Sequence, residues 1–118
     1  MIRIAKSIYD KPEPSDGTRI LVMRMWPRGV SRDKVDLWLK DLGTPRELIK
    51  KWKAGTITWD EYTIEYRESL KGKEKLLRSV AAQSKKSTVS LLCTERDPNR
   101  CHRSLLKAAI DELAGGVH

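Results

Sequence analysis

The run Cys93-Thr94-Glu95-Arg96-Asp97-Pro98-Asn99-Arg100-Cys101-His102-Arg103 gathers both cysteines of the chain and one of its two histidines. A thiol beside an imidazole is the minimal nucleophile–base pair, and a carboxylate such as Glu95 can orient the imidazole or act as a base itself. The spacing favours Cys93 with His102, the end of one element facing the start of the next. Cys101 and His102 are adjacent, and neighbours on a helix diverge by about 100°. Arg100 and Arg103 lie three apart on nearly one helical face, where either can make a forked contact to a phosphate or carboxylate. Asp97 caps and Pro98 opens the expected helix, and free N–H groups at such a start attract anions and lower a thiol pKa.

Three narrower chemistries are disfavoured. A cysteine-phosphatase loop wants five residues between Cys and Arg, and Cys93 to Arg100 has six. Glu95 and Asp97 also put negative charge where the phosphate would lie. Zinc held by Cys93, Cys101 and His102 with Glu95 is the second, but no C-x-x-C pair exists and a structural site wants four good ligands, so no metal is assigned. A Cys93–Cys101 disulfide would be transient in a reducing compartment. A structural reading stands beside the reactive one: both cysteines as small buried hydrophobes, His102 tied to backbone carbonyls, and Glu95 paired with Arg103.

A second cluster is Arg24, Trp26, Pro27, Arg28 and Gly29. Arg24 lies inside an apolar run, so its charge needs a partner, for which Glu95 is the candidate, or a ligand. Trp26 is either core or pocket wall. The sharper expectation is that Arg24, Arg28 and Arg103 converge on one anion.

These residues need elements to position them. Ile2–Ala5 is an expected edge strand. Arg19–Trp26 is the first long apolar run and reads as a buried strand ended by Pro27 and Gly29. A helix is expected over Arg32–Leu42, capped by Ser31, with Val35, Trp38, Leu39 and Leu42 as its buried stripe. Thr44-Pro45-Arg46-Glu47 opens another to about Ala54, and Thr58-Trp59-Asp60-Glu61 a third to about Leu70. Lys73–Ser84 reads as helix, Thr88–Cys93 as the second confident strand, and Pro98–Ala114 as the last helix, stopped by Gly115-Gly116. The expectation is one α/β domain over 1–118, a small parallel or mixed sheet covered by helices. Ligands of such sheets bind beyond the carboxyl ends of the strands, which points to the loops Trp26–Ser31 and Thr94–Arg100.

Composition sets the outer bounds. The chain has 118 residues, 39% of them hydrophobic, and Lys+Arg 24 against Asp+Glu 16 leaves +8. That is enough apolar content for one core and excludes a wholly disordered chain. Neither a membrane-spanning run nor a secretory signal is legible, so a cytoplasmic protein is expected. The positive charge suits an anionic small molecule. It also admits a nucleic-acid module using Lys50, Lys51 and Lys53, although no zinc-finger or RNP pattern is present.

The blocks RILVMRMWPRGVSRDKVDLWLKDLGTPRELIKKW, W-x-x-Y-x-x-x-Y-x-x-x-L and LLCTERDPNRCHRSLL resemble the YeaO-like branch of the domain-of-unknown-function family 488. Cys93, Glu95, Cys101, His102 and Arg103 match that family's C-x-E…CHR form. The resemblance implies a compact intracellular α/β protein and carries no reaction with it. The combined expectation is a strand-end pocket for an anionic, phosphate-bearing small molecule. Arg24, Arg28, Arg100 and Arg103 hold the anion, and Cys93, Glu95 and His102 are the reactive groups. Trp26, Pro27, Gly29 and Cys101 serve structural or dual roles. No cofactor is assigned.

Overall fold

The computed structural model describes residues 1–115, with side chains through Ala114. Four short strands form one parallel sheet: β1 (Ile2–Arg3), β2 (Thr18–Leu21), β3 (Leu37–Trp38) and β4 (Val89–Leu92), in the order β1-β4-β2-β3. The two apolar runs, β2 and β4, are the central pair, in register from Thr18 opposite Val89 to Leu21 opposite Leu92. Both are buried nearly throughout, as strands covered on two faces must be. Ile2–Arg3 takes the expected edge position.

The two faces are covered differently. Ile20, Val22, Val89 and Leu91 face a layer of four helices, α1 (Arg46–Lys53), α2 (Trp59–Ser69), α3 (Glu74–Lys86) and α4 (His102–Gly115). Each helix contributes to that core: Leu48, then Tyr62 and Tyr66, then Leu77 and Val80, then Leu106 and Ile110. Leu21 and Leu92 point the other way, into a smaller cluster with Ile8, Val30, Trp26 and Trp38, which come from loops and from edge strand β3. The sheet therefore has helices on one face and loops on the other.

Three expectations are corrected. The first apolar strand is shorter than Arg19–Trp26, since regular pairing ends at Leu21. The segment 32–42 is not a helix but two 3-10 turns, Arg32–Lys34 and Lys40–Leu42, flanking β3. Its apolar spacing matches a helix, but the free edge of β2 captures it. Asp36 N–H donates to the Arg19 carbonyl (2.9 Å), Leu39 N–H to that of Leu21 (2.9 Å), and the Trp38 indole to that of Met23 (2.7 Å). Pairing a buried strand edge outweighs a helix of that length held by one apolar stripe.

The last helix is also interrupted. Asp97 caps as expected, its carboxylate accepting from Asn99 N–H at 2.9 Å, but the turn it opens covers only Pro98–Arg100. Cys101 is extended (φ −136°, ψ 149°), and α4 begins at His102. Gly116 of the expected stop lies outside the described residues. Elsewhere Thr58 forms a complete capping box with Glu61 at the start of α2. Thr44 does not cap α1: its hydroxyl shares a 2.7 Å hydrogen bond with that of Tyr62. Among the described residues no helix is long and apolar enough to cross a membrane.

Candidate functional site

The break at Cys101 decides the geometry of the site. An extended residue followed by a helical one does not obey the helical divergence of neighbours, so Cys101 and His102 turn toward each other. The Cys101 sulfur lies 3.5 Å from His102 Nδ1 and 2.9 Å from the Cys93 sulfur. The far ring nitrogen, Nε2, is 2.5 Å from the Val22 carbonyl just past β2. A carbonyl can only accept, so Nε2 carries a proton and Nδ1 is the ring nitrogen turned to the Cys101 sulfur. Tyr66 supports the ring edge-on at 5.5 Å. All three reactive side chains are buried. The expected Cys93–His102 pair is thus replaced by a triangle with Cys101 between them, and their ligand atoms lie within 4.8 Å of one another.

Charge is unevenly shared in the triangle. The hydrogen bond from Cys93 is the main influence holding the Cys101 thiol below its ordinary pKa, against the opposing effect of burial and with help from His102. The same hydrogen bond, reinforced by burial, pushes the Cys93 thiol up. Arg103 is 0% exposed, with its two terminal nitrogens donating to the backbone carbonyls of Lys6 and Glu95, the latter at 2.6 Å and itself 4.0 Å from the Cys93 sulfur. Among the described residues its Nε has no partner. Arg103 is therefore a buried clamp rather than an anion ligand. Glu95 meets it through its backbone, and its carboxylate is not the partner of Arg103.

Above the thiols opens a cavity of about 290 Å³, lined by Met23, Arg24, Cys93, Cys101 and His102 at its base and by residues of α1 and α2 at its side. It sits beyond the carboxyl ends of β2 and β4, where the topology rule places a ligand. Of the expected arginines, Arg24 and Arg100 line it and Arg28 does not. Arg24 is held by its Nε donating to the Gly43 carbonyl at 3.1 Å, and Arg100 lies over the Trp59 ring at 5.7 Å. The expected convergence of Arg24, Arg28 and Arg103 does not form. Glu95 lines the cavity and is its one acidic residue; Arg24 is bonded to Gly43 instead.

The Trp26–Gly29 block belongs to the opposite face. Trp26 packs edge-on against Trp38 at 5.3 Å and donates to the Val30 carbonyl at 2.8 Å, Pro27 is buried, and Gly29 turns with φ +79°. These residues are core and turn, not pocket wall. Sequence reading missed Arg46, Ile49, Lys53 and Tyr62, all of which line the cavity. The signal was available: 46, 49 and 53 share one face of a helix. Burial pushes the Tyr62 hydroxyl up to about 12, against the lowering effect of Thr44. The basic face of α1 is partly neutralised, with Lys50 near Glu47 at 3.7 Å and Lys51 on Glu65 at 2.9 Å.

Comparison with known proteins agrees with the resemblance carried by the motifs. An uncharacterized protein of Mycobacterium tuberculosis H37Rv is 31% identical over 109 residues, 89% of each chain. The uncharacterized protein YeaO of Escherichia coli K12 is 31% identical over 103 residues, 86% of this chain and 90% of its own. No solved structure matches. The family model DUF488-N3a, described as the active DUF488-N3 subclade, matches residues 2–114. With the C-x-E…CHR loop built into a buried thiol–imidazole triangle at the strand ends, this chain belongs to the DUF488-N3a family.

Proposed function

We propose that the cavity binds an anionic small molecule, with a phosphate or carboxylate on its cationic wall and the rest of the molecule over the thiol–imidazole floor. The observation that carries this reading is the charge of the lining: Arg24, Arg46, Lys53 and Arg100 against Glu95 alone. The volume, about 290 Å³, lies at the small end of ligand pockets, roughly 300–1,000 Å³. Apolar walls from Met23, Ile49 and Trp52 lower the local dielectric and strengthen each charge contact. Chemistry at the floor would fall to Cys93, Cys101 and His102, with Glu95 at the rim as the available base. The description of the family as an active subclade agrees with a reactive floor.

The test is thermal unfolding against inorganic phosphate, sulfate, nucleotides and sugar phosphates at matched ionic strength. A specific binder at 100 times its dissociation constant adds about 2.7 kcal/mol, several degrees for a domain of this size. The expected result is a ligand-specific rise that Arg46→Ala removes and Arg28→Ala leaves intact. A flat panel, or a rise that follows ionic strength alone, would overturn the reading. Binding to nucleic acid through α1 predicts instead a steep loss with salt and no selectivity among the small anions.

A further inference from the structure

We propose that Cys93, Cys101 and His102 form a binding site for a divalent zinc-type ion, with its fourth coordination position open to the cavity. The proposal is independent of the anion reading, and where both hold it names what the anion meets at the floor.

Four observations bear on it. The donor set, two sulfurs and an imidazole nitrogen, is that of a borderline-soft tetrahedral ion. The histidine is already oriented: Nε2–H is tied to the Val22 carbonyl at 2.5 Å, which leaves Nδ1 as the nitrogen turned to the sulfurs. Metal-binding histidines are held in this way by a backbone carbonyl or carboxylate on the other nitrogen. The spacing fits an ion along one side of the triangle, and the other two sides, all within 4.8 Å, would have to adjust. Bonds of about 2.3 Å to sulfur and 2.0–2.1 Å to nitrogen at tetrahedral angles separate sulfur from nitrogen by roughly 3.5 Å. The Cys101–His102 separation is 3.5 Å. The same geometry sets two sulfurs roughly 3.8 Å apart, so the thiols, now 2.9 Å apart, would have to part by about 0.9 Å.

The fourth observation is charge. Arg103 is fully buried, and among the described residues it bonds to carbonyls and to no carboxylate. A buried guanidinium without an acid favours negative charge nearby, and the Glu95 carbonyl that accepts from it at 2.6 Å lies 4.0 Å from the Cys93 sulfur. Two thiolates balance a divalent ion, so Arg103 leaves the loaded floor one charge positive. That residual charge favours an anion as the fourth ligand, reached through the cavity. Three protein ligands with one open position distinguish this arrangement from closed structural zinc sites.

The experiment is a titration of the reduced, chelator-treated full-length protein with cobalt(II), followed by displacement with zinc. The expected result is one equivalent of tetrahedral cobalt, seen as strong visible bands with thiolate-to-metal absorption in the near ultraviolet, bleached by zinc. Cys93→Ser and Cys101→Ser should each lose about half or more of the thiolate absorption, and His102→Asn should weaken binding by at least about 100-fold, the upper end for losing even an outer-shell contact. A readout in the unaltered protein guards against variants that do not fold: zinc should protect both thiols from alkylation by N-ethylmaleimide. Absence of the thiolate band, or alkylation at the same rate with and without zinc, would overturn the proposal. Cobalt binding with no response to phosphate, sulfate, nucleotides or sugar phosphates in spectrum or unfolding temperature would leave the metal site standing and remove the anion reading.

Discussion

His102 and Arg103 are consecutive, fully or nearly buried, and do opposite work. His102 turns to the cavity and offers a nitrogen. Arg103 turns beneath the floor and ties together the carbonyls of Lys6 and Glu95. The fork of a guanidinium reaches both; a lysine ammonium at the end of a flexible stem does not. Arg103→Lys should therefore destabilise the fold by about 3 kcal/mol, the cost of an opened buried network, read in urea unfolding. An unchanged midpoint would show the clamp to be dispensable. The sequence shows that Arg103 matters through its place in the C-x-E…CHR block. It does not show whether the side chain faces a ligand or the backbone, because a forked donor suits phosphate oxygens and peptide carbonyls equally.

At the scale of elements, the strands and capped helices were legible wherever local signals and pairing agree. Thr58 and Glu61 make α2 start where the capping box says, and Thr58→Ala should cost about 1 kcal/mol of stability. The segment 32–42 misleads because its apolar period is satisfied by either structure, and only the open edge of β2 decides between them. The single helix expected from Pro98 fails at Cys101, where the 3-10 turn and α4 meet at an extended residue that no propensity marks. Gly43 is a quieter determinant. A Cβ there would stand 2.5 Å from the backbone nitrogen of Arg24, and its carbonyl accepts from the Arg24 guanidinium. Gly43→Ala should push the Met23–Arg24 segment out of place, costing about 1–3 kcal/mol of stability. It should also reduce any phosphate-induced rise in unfolding temperature more than Arg28→Ala does.

For the molecule as a whole, the acid limit of stability belongs to a network away from the cavity. Asp16 is buried between Lys6 at 3.0 Å and Arg19 at 2.5 Å. Burial pushes its carboxyl up, but the Glu13 backbone N–H and the two cations outweigh that and hold it below its ordinary 3.8. A lowered folded value means the unfolded chain takes up the proton first. The stabilisation is complete above the ordinary value and is lost as pH falls through the lowered one. Denaturant midpoints should fall below about pH 4 in the parent protein. They should fall less steeply in Asp16→Asn, which starts from a lower midpoint. A parent profile that stays flat to acid would refute this assignment.

The clamp at Arg103 also sets an order of events. Its guanidinium joins the Lys6 carbonyl to that of Glu95 in the loop after β4. In synthesis from the N-terminus β1, β2 and the first three helices precede α4. Until α4 emerges, the strand ends have neither imidazole nor guanidinium beneath them. The floor of the cavity is thus assembled last, so a chain stalled before α4 has an unfinished core and no working site.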